Sequence, residues 1–181
     1  MALMDRNDTV FIVVDYQEKL VPAMNNKEYL MGKSCRLAEG MKALGIPHIV
    51  TQQYTKGIGE TVPELAEAIG EFEPIDKISF SCLGNEEFCR QLEAAGKKTA
   101  VVCGIEAHIC VQQTVLQLLD EGYQVYVPVD CIASRSEHDR LWAADRMAHA
   151  GAVLTTYEAV LYELLRDAKA PEFKAISKIV K

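Results

Sequence analysis

The chain lacks the features that mark membrane-spanning, secreted and nucleic-acid-binding proteins. No apolar run approaches the ~20 residues needed to cross a bilayer, and the first residues lack the basic start and long apolar segment of a signal peptide. Lysine and arginine number 19 against 26 acidic residues, giving a net charge of −7, and they form no cluster. This balance argues against nucleic acid or an anionic membrane surface as a partner. We therefore expect a cytoplasmic protein.

The cysteines and histidines also lack the spacing of a structural metal site. No CxxC pair occurs, and no Cys/His cluster has zinc-binding spacing. Scattered thiols of this kind are typical of a reduced cytosolic protein rather than of a disulfide framework. The six cysteines stand at positions 35, 82, 89, 103, 110 and 131.

What the chain does contain is a regular alternation of strand-like and helix-like segments. Its 181 residues are enough to bury the core of a single domain, 1–181. Apolar strands alternating with helices predict an α/β fold with three αβα layers, Rossmann-like, with a mostly parallel sheet of about six strands and helices on both faces. The predicted strands are Thr9–Asp15, His48–Gln52, a weak extended segment Lys77–Phe80, Thr99–Cys103, Gln124–Val129 and Val153–Thr155. The predicted helices are Tyr29–Leu44, Pro63–Ile69, Glu86–Ala95, the segment opened by Cys110, Glu137–Ala150, Tyr157–Asp167 and Glu172–Val180.

Open parallel sheets bind their ligands outside the carboxyl ends of the strands. This rule selects Asp15 after the first strand, residues 52 and 53 after the second, and the segments 104–110 and 130–136 after two later strands. Lys77 begins the weak extended segment, so the rule alone does not place it there. We therefore expect functional residues at this edge of the sheet.

Cys110 is the most informative of them. It follows an apolar strand and a glycine, and it opens a stretch with helical apolar spacing. A thiol at a helix N-terminus lies where the helix dipole and free backbone N–H groups favour the nucleophilic thiolate. The alternative is a small buried apolar residue, which is the usual role of a free cysteine.

Asp15 and Lys77 are sensible chemical partners for that thiol. A carboxylate can accept the thiol proton and later give it to a leaving group, and an amine can hold the carboxylate and stabilise the thiolate. Each also has a simpler interpretation, since aspartate at a strand end often caps a helix and lysine is usually a solvated surface charge. Spacing alone does not decide between these roles.

These residues lie in motifs that resemble those of the isochorismatase-like cysteine hydrolases. The resemblance covers nearly the whole chain, and additional motifs at 51–54, 57–59, 61–65, 134–136 and 139–140 are similar to the subgroup of isochorismatase domain-containing proteins. The main motifs are Asp15-Tyr16-Gln17, Asp76-Lys77-Ile78-Ser79-Phe80-Ser81 and Gly104-Ile105-Glu106-Ala107-His108-Ile109-Cys110-Val111.

The resemblance implies a role for each matched residue. Asp15, Lys77 and Cys110 would form a catalytic triad, and the peptide between Ile105 and Glu106 would be cis. The backbone N–H groups of Glu106 and Cys110 would form an oxyanion hole. The implied protein is a homo-oligomeric hydrolase that needs no cofactor and cleaves a C–N bond of a small molecule through an acyl intermediate on Cys110.

Departures from related patterns narrow the activity further. Nicotinamidases of this superfamily carry an Asp/His metal cluster after the second strand, whereas residues 52–57 here contain no histidine, and His48 stands at the opposite end of that strand. We therefore expect no metal site. Gln17, Tyr54 and Phe80 are candidates for substrate binding because they lie in or beside the motifs, although each residue type is as common in cores or loops.

Three other functions stay open on the sequence. The first is a small-molecule-binding or scaffolding protein with an idle site, and the second is an isochorismatase-type vinyl ether hydrolase, which does not need the nucleophilic cysteine. The third is a redox-responsive thiol protein in which Cys110 pairs with a second cysteine. Cys131 is one candidate partner, and His108 is interpreted as a pocket-wall or capping residue.

The last helix leaves a structural question open. Phe173, Ile176, Ile179 and Val180 form an apolar stripe along it. The stripe fits either a contact with a neighbouring subunit or a cover over the chain's own core.

Overall fold

A seven-stranded, wholly parallel sheet forms the centre of the molecule in the computed structural model, which describes residues 3–181. The strands are β1 Thr9–Val14, β2 His48–Gln53, β3 Ile75–Lys77, β4 Thr99–Ile105, β5 Gln124–Pro128, β6 Ile132–Ala133 and β7 Val153–Thr155. Their order in the sheet is β3-β2-β1-β4-β5-β7, and the short β6 pairs with β4. The three-layer αβα prediction is confirmed, with seven strands in place of about six.

Helices cover both faces of this sheet. They are α1 Lys27–Ala43, α2 Thr55–Ile58, α3 Pro63–Ile69, α4 Glu86–Ala95, α5 Gln112–Asp120, α6 Glu137–His149, α7 Tyr157–Leu165 and α8 Phe173–Val180, with a π-helical turn at Ala107–Val111. Side chains of β1 alternate between two buried clusters, as the pleat of a strand requires. One cluster holds α1, α3, α7 and α8 against the sheet, and the other holds α4, α5 and α6.

Helix α8 covers the chain's own core. Ile176 is fully buried, and Phe173, Ile179 and Val180 pack against the cluster that also contains α1 and α7. The apolar stripe of the sequence is therefore accounted for within one chain. Across residues 3–181, no helix combines the length and hydropathy needed to cross a bilayer.

Two segments near the carboxyl edge differ from the sequence-based expectation. Lys77 is the last residue of β3 rather than the first residue of an extended segment, because β3 pairs with β2 in the register Gln53 to Lys77. The helical segment after β4 begins at Ala107, so Cys110 lies inside a π-helical turn rather than at a helix N-terminus. The first difference moves Lys77 to the edge that the ligand rule selects.

The strands β1 and β4 approach each other very closely at Gly104. This residue has φ +147°, and a Cβ built on it would lie 2.3 Å from the carbonyl oxygen of Val14. The three nearest atoms are the carbonyl oxygen, Cβ and Cα of Val14, so no flexible side-chain end is available to give way. Glycine is therefore required where the ends of these two strands meet.

We expect Gly104→Ala to lower the free energy of unfolding by roughly 2–5 kcal/mol, from the collision and the unfavourable φ together. Gly122 is the matched control, since it has φ +81° but no atom within 4 Å of a built Cβ. Gly122→Ala should cost only about 1–2 kcal/mol, for the φ angle. Urea denaturation of both variants measures the difference, and equal losses would rule out the collision as the cause.

Candidate active site

Asp15 and Lys77 form a fully buried ion pair at the carboxyl edge of the sheet. Asp15 directly follows β1 with φ 56°, and Lys77 ends β3. The ammonium Nζ of Lys77 lies 2.7 Å from Oδ2 of Asp15, and neither side chain is exposed to solvent. Burial of two charges is costly unless each is paired and hydrogen-bonded, so the remaining contacts of the pair are important.

The Lys77 ammonium is surrounded by acceptors. Besides Asp15, it donates to Oε1 of Gln53 at 2.7 Å and to the backbone carbonyls of Ser79 at 3.2 Å and Phe80 at 3.0 Å. Burial is the largest single influence and lowers the pKa of Lys77, but the charge and hydrogen bond of Asp15 together with the Cys110 and Cys82 thiols outweigh it, so the net pKa is raised. Lys77 therefore carries a permanent charge with its three protons already engaged.

The other carboxylate oxygen of Asp15 is held by Thr51 on β2. The hydroxyl of Thr51 donates to Oδ1 of Asp15 at 2.8 Å, and the residue is fully buried. Both carboxylate oxygens thus have a fixed partner. The sequence assigns no role to Thr51, and its position near the end of β2 is the one feature that could have indicated it. The strand-end rule selects Gln53 but does not say what it does.

Cys110 lies beside this pair and is 6% exposed. Burial raises the pKa of the Cys110 thiol well above its usual range, the negative charge of Asp15 raises it further, and the Lys77 ammonium acts in the opposite direction. The expectation that the resting site favours a thiolate is therefore wrong, because burial and a neighbouring carboxylate outweigh the helical turn. The resting residue is a protonated thiol that responds to both charges of the ion pair.

The peptide bond between Ile105 and Glu106 is cis, directly before the turn that carries Cys110. The carbonyl of Glu106 accepts the N–H groups of Ile109 at 3.0 Å and Val111 at 3.3 Å. The carboxylate of Glu106 accepts the backbone N–H of Arg135 at 3.0 Å and its Nε at 3.1 Å. Contacts at both ends of Glu106 thus fix the loop in front of Cys110.

The three candidate substrate-binding residues have different surroundings. Tyr54 is 49% and Phe80 is 55% exposed, and they flank Lys77: the N–H of Tyr54 donates to the carbonyl of Lys77 at 2.9 Å, and the carbonyl of Phe80 accepts from its ammonium. Gln17 is fully buried, and its amide bonds the backbone of Gln53 and the carbonyl of Gly59. Its side chain ties two loops together.

The remaining candidates contact other parts of the molecule. Nδ1 of His108 lies 2.9 Å from Oγ of Ser134, which places the ring against the loop after β6. Cys131 is fully buried in the cluster on the α1 face of the sheet, whereas Cys110 belongs to the cluster on the α5 face. The sheet thus separates the two thiols. Nε2 of His48 lies 3.1 Å from the carbonyl of Glu71.

No group of three or more His, Cys, Asp or Glu side chains positioned to hold a metal ion occurs within residues 3–181. The arrangement at the carboxyl edge instead offers a thiol, a carboxylate and a buried ammonium. These groups can supply a nucleophile, a proton acceptor and a fixed positive charge.

Known proteins match this chain in both sequence and fold. The family model for the isochorismatase domain matches residues 9–159. Isochorismatase domain-containing protein 1 from Salmo salar is 40% identical over 173 residues, which cover 96% of this chain and 61% of that protein. This chain therefore spans less than two thirds of that relative's length.

Two solved structures resemble it closely. The MAR1 ribonuclease from Caenorhabditis elegans is 38% identical with a TM-score of 0.93, covering 99% of this chain and 92% of that one. The YcaC gene product from Escherichia coli, an octameric hydrolase of unknown specificity, is 28% identical with a TM-score of 0.93, covering 99% and 89%. Together with the family model and the motifs at the carboxyl edge, these similarities show that the chain belongs to the isochorismatase family and has its hydrolase fold.

Proposed function

We propose that this protein is a cysteine hydrolase that cleaves a C–N bond of a small amide-type molecule through an acyl intermediate on Cys110, without a cofactor. The observation that carries the proposal is the fully buried Asp15–Lys77 ion pair beside the Cys110 thiol. A buried ion pair is expensive to maintain and is weak evidence for stability alone. Next to a thiol at the ligand-binding edge, the same pair can accept the thiol proton and supply a fixed positive charge.

In the first step, the sulfur of Cys110 attacks the substrate carbonyl carbon while its proton passes to the carboxylate of Asp15. Because the pKa of Cys110 is raised, proton transfer accompanies the attack instead of preceding it. Thr51 and Lys77 hold the carboxylate in position for that transfer. Lys77 supplies charge but no proton.

The negative oxygen formed by the attack needs hydrogen-bond donors. We assign this role to the backbone N–H groups of Glu106 and Cys110, at the cis peptide and in the π-helical turn. The tetrahedral intermediate then collapses, the C–N bond breaks, and Asp15 returns its proton to the departing amine. Water attacks the thioester with Asp15 as base, which releases the acid and restores the Cys110 thiol.

The surroundings of the ion pair favour a small substrate with an apolar part. Tyr54, Ile78 and Phe80 are exposed large side chains next to Lys77, and Ile78 is 71% exposed. We assign substrate contact to Tyr54 and Phe80, and loop positioning to the buried Gln17. A homo-oligomer is part of the same proposal, because the similar YcaC protein is octameric.

Hydrolysis of RNA is the second candidate, because a protein 38% identical to this chain is a ribonuclease. The charge of this chain opposes it. A net charge of −7 without a cluster of lysine or arginine provides little attraction for a phosphate backbone.

The test is a panel of small amides followed by turnover and by intact mass spectrometry of the protein. We expect a slowly hydrolysed amide to leave an acyl group on Cys110 in a quenched sample, and Cys110→Ala to form no adduct and show no turnover. Single-stranded RNA is tested with the same two proteins. Undiminished amide hydrolysis by Cys110→Ala contradicts the acyl mechanism, and RNA cleavage lost in that variant supports the second candidate.

A further inference from the structure

A second thiol, Cys82, lies next to the proposed catalytic groups. It follows the partly exposed segment 78–80 and the buried Ser81, and it is fully buried itself. Its Sγ lies 3.7 Å from Oγ1 of Thr51, whose hydroxyl donates to Asp15 at 2.8 Å. Cys82 is thus one side chain away from the carboxylate that is proposed to activate Cys110.

The hydroxyl of Thr114 connects the backbones of the two cysteines. Oγ1 of Thr114 accepts the N–H of Cys82 at 3.0 Å and donates to the carbonyl of Cys110 at 2.7 Å. Both cysteines belong to the same buried cluster on the α5 face of the sheet. The two residues are therefore held as neighbours on one wall of the site.

The electrostatic surroundings of the two thiols also match. Burial raises the pKa of Cys82 to about 11, Asp15 raises it as well, and Lys77 acts in the opposite direction. The same three causes act on Cys110, where Cys82 itself adds a further upward contribution. Both thiols therefore respond to the same ion pair, and Cys110 also responds to Cys82.

The other four cysteines do not share this position. Cys103 and Cys131 are buried in the cluster on the opposite face, and Cys35 packs against that cluster. Cys89 is exposed on α4, where its thiol donates to the carbonyl of Leu83 at 3.3 Å. Among the six cysteines, Cys82 is the one buried in the same cluster as Cys110, on the same face of the sheet.

We propose that Cys82 is a redox modification site, which forms a reversible disulfide with Cys110 when the protein meets a hydroperoxide. The peroxide oxygen transfers to the sulfur of Cys110, giving a sulfenic acid and releasing water or an alcohol. The sulfur of Cys82 then attacks the sulfenyl sulfur, the S–O bond breaks, and the hydroxyl leaves as water with the thiol proton of Cys82. Two thiols lose two electrons in total, and the peroxide gains them.

The disulfide has two consequences for the site. It blocks the nucleophile that the proposed hydrolysis needs, and it protects Cys110 from oxidation to the irreversible sulfinic and sulfonic acids. A dithiol reductant restores both thiols. Cys82 thereby determines whether oxidation of Cys110 is reversible.

The test treats the wild-type chain with a modest molar excess of hydrogen peroxide, alkylates free thiols under denaturing conditions, and maps peptides without reduction. We expect a cross-linked peptide pair containing Cys82 and Cys110, lost after dithiothreitol. In Cys82→Ser, Cys110 should instead reach the sulfinic acid, which dithiothreitol does not reverse. Cys82→Ala repeats the test if the serine variant is unfolded by circular dichroism, and Cys89→Ser is the control that keeps the cross-link.

Cys110 as sulfinic acid beside a free Cys82 thiol in the wild type would overturn the proposal, as would a disulfide to another cysteine or a Cys110 that stays reduced. The readout is a peptide mass and needs no substrate. A failure of the proposed amide hydrolysis therefore leaves this result unaffected, and the two can be told apart.

Discussion

Asp15→Asn is expected to reduce turnover by roughly 10²–10⁴-fold and, at the same time, to make Cys110 react faster with iodoacetamide at neutral pH. Turnover falls because the amide cannot accept the thiol proton or return it to the leaving amine. Alkylation speeds up because the carboxylate is one of the causes that raise the pKa of Cys110, while Lys77 lowers it. Removing the negative charge leaves the ammonium as the dominant neighbour.

The measurement is the rate of alkylation of each cysteine against pH, read by peptide mass spectrometry. In the wild type, the Cys110 rate should still be rising above pH 9, past the ~8.5 of a free thiol, because its pKa is raised. In Asp15→Asn, the curve of Cys110 alkylation rate against pH should shift to lower pH. Cys89, on the exposed side of α4, is an internal reference whose curve should not move, and Asp145→Asn on the surface of α6 controls for loss of one carboxylate.

The test is informative because the two expected changes, slower turnover and faster alkylation of Cys110, have opposite signs. A variant that simply damages the fold would slow turnover and expose every buried thiol, including Cys103 on the other face of the sheet. A slower Cys110 in Asp15→Asn would show that the carboxylate assists thiolate formation at rest, contrary to the geometry described above.

Lys77→Met is expected to lower the free energy of unfolding by about 3–5 kcal/mol, because Asp15 is then left as a buried charge without its cation. The side chain of Lys77 is fully buried, so water cannot replace the ammonium without a rearrangement. The carbonyls of Ser79 and Phe80 also lose their donor. Turnover should fall with the loss of carboxylate positioning.

The double variant Asp15→Asn/Lys77→Met separates charge from packing. It leaves no unpaired buried charge, so we expect it to recover most of the lost stability while remaining inactive. Guanidinium denaturation measures all three variants, and Lys174→Met, on the exposed side of α8, is the control for loss of a lysine. A double variant no more stable than Lys77→Met would mean that the methionine itself fits poorly.

The layered fold follows from the sequence because its strongest signals are local. For example, β1 is predicted from its own apolar run, and α3 and α4 are predicted from the glycine or proline at their ends. Neither prediction depends on which elements pack against them. Strand β3 has only three residues, and its end became clear only through its pairing with Gln53 on β2. The two-residue strand β6 is too short to show a period at all.

The candidate site likewise contains some residues that the sequence identifies and others that only the structure identifies. Asp15 could be selected because it ends a strong strand, but Thr51 and Thr114 look like ordinary threonines until their hydroxyls are seen bonded to Asp15 and Cys110. Sequence order also does not reveal which face of the sheet a cysteine occupies, so it does not distinguish Cys82 from Cys131 as a neighbour of Cys110. The protonation of Cys110 depends on burial and on a charge brought from another strand.

The hydrogen bonds from Lys77 to the carbonyls of Ser79 and Phe80 couple the entrance of the site to its electrostatics. An insertion or deletion between positions 77 and 81 would displace both the backbone that presents Phe80 and the acceptors that hold the ammonium. Substrate range in relatives with this ion pair should therefore diverge through side-chain replacement at 78 and 80, on a segment of constant length, and at 54 beside it. Loop length, which is commonly the most variable property of a ligand-binding edge, is here constrained by a single buried cation.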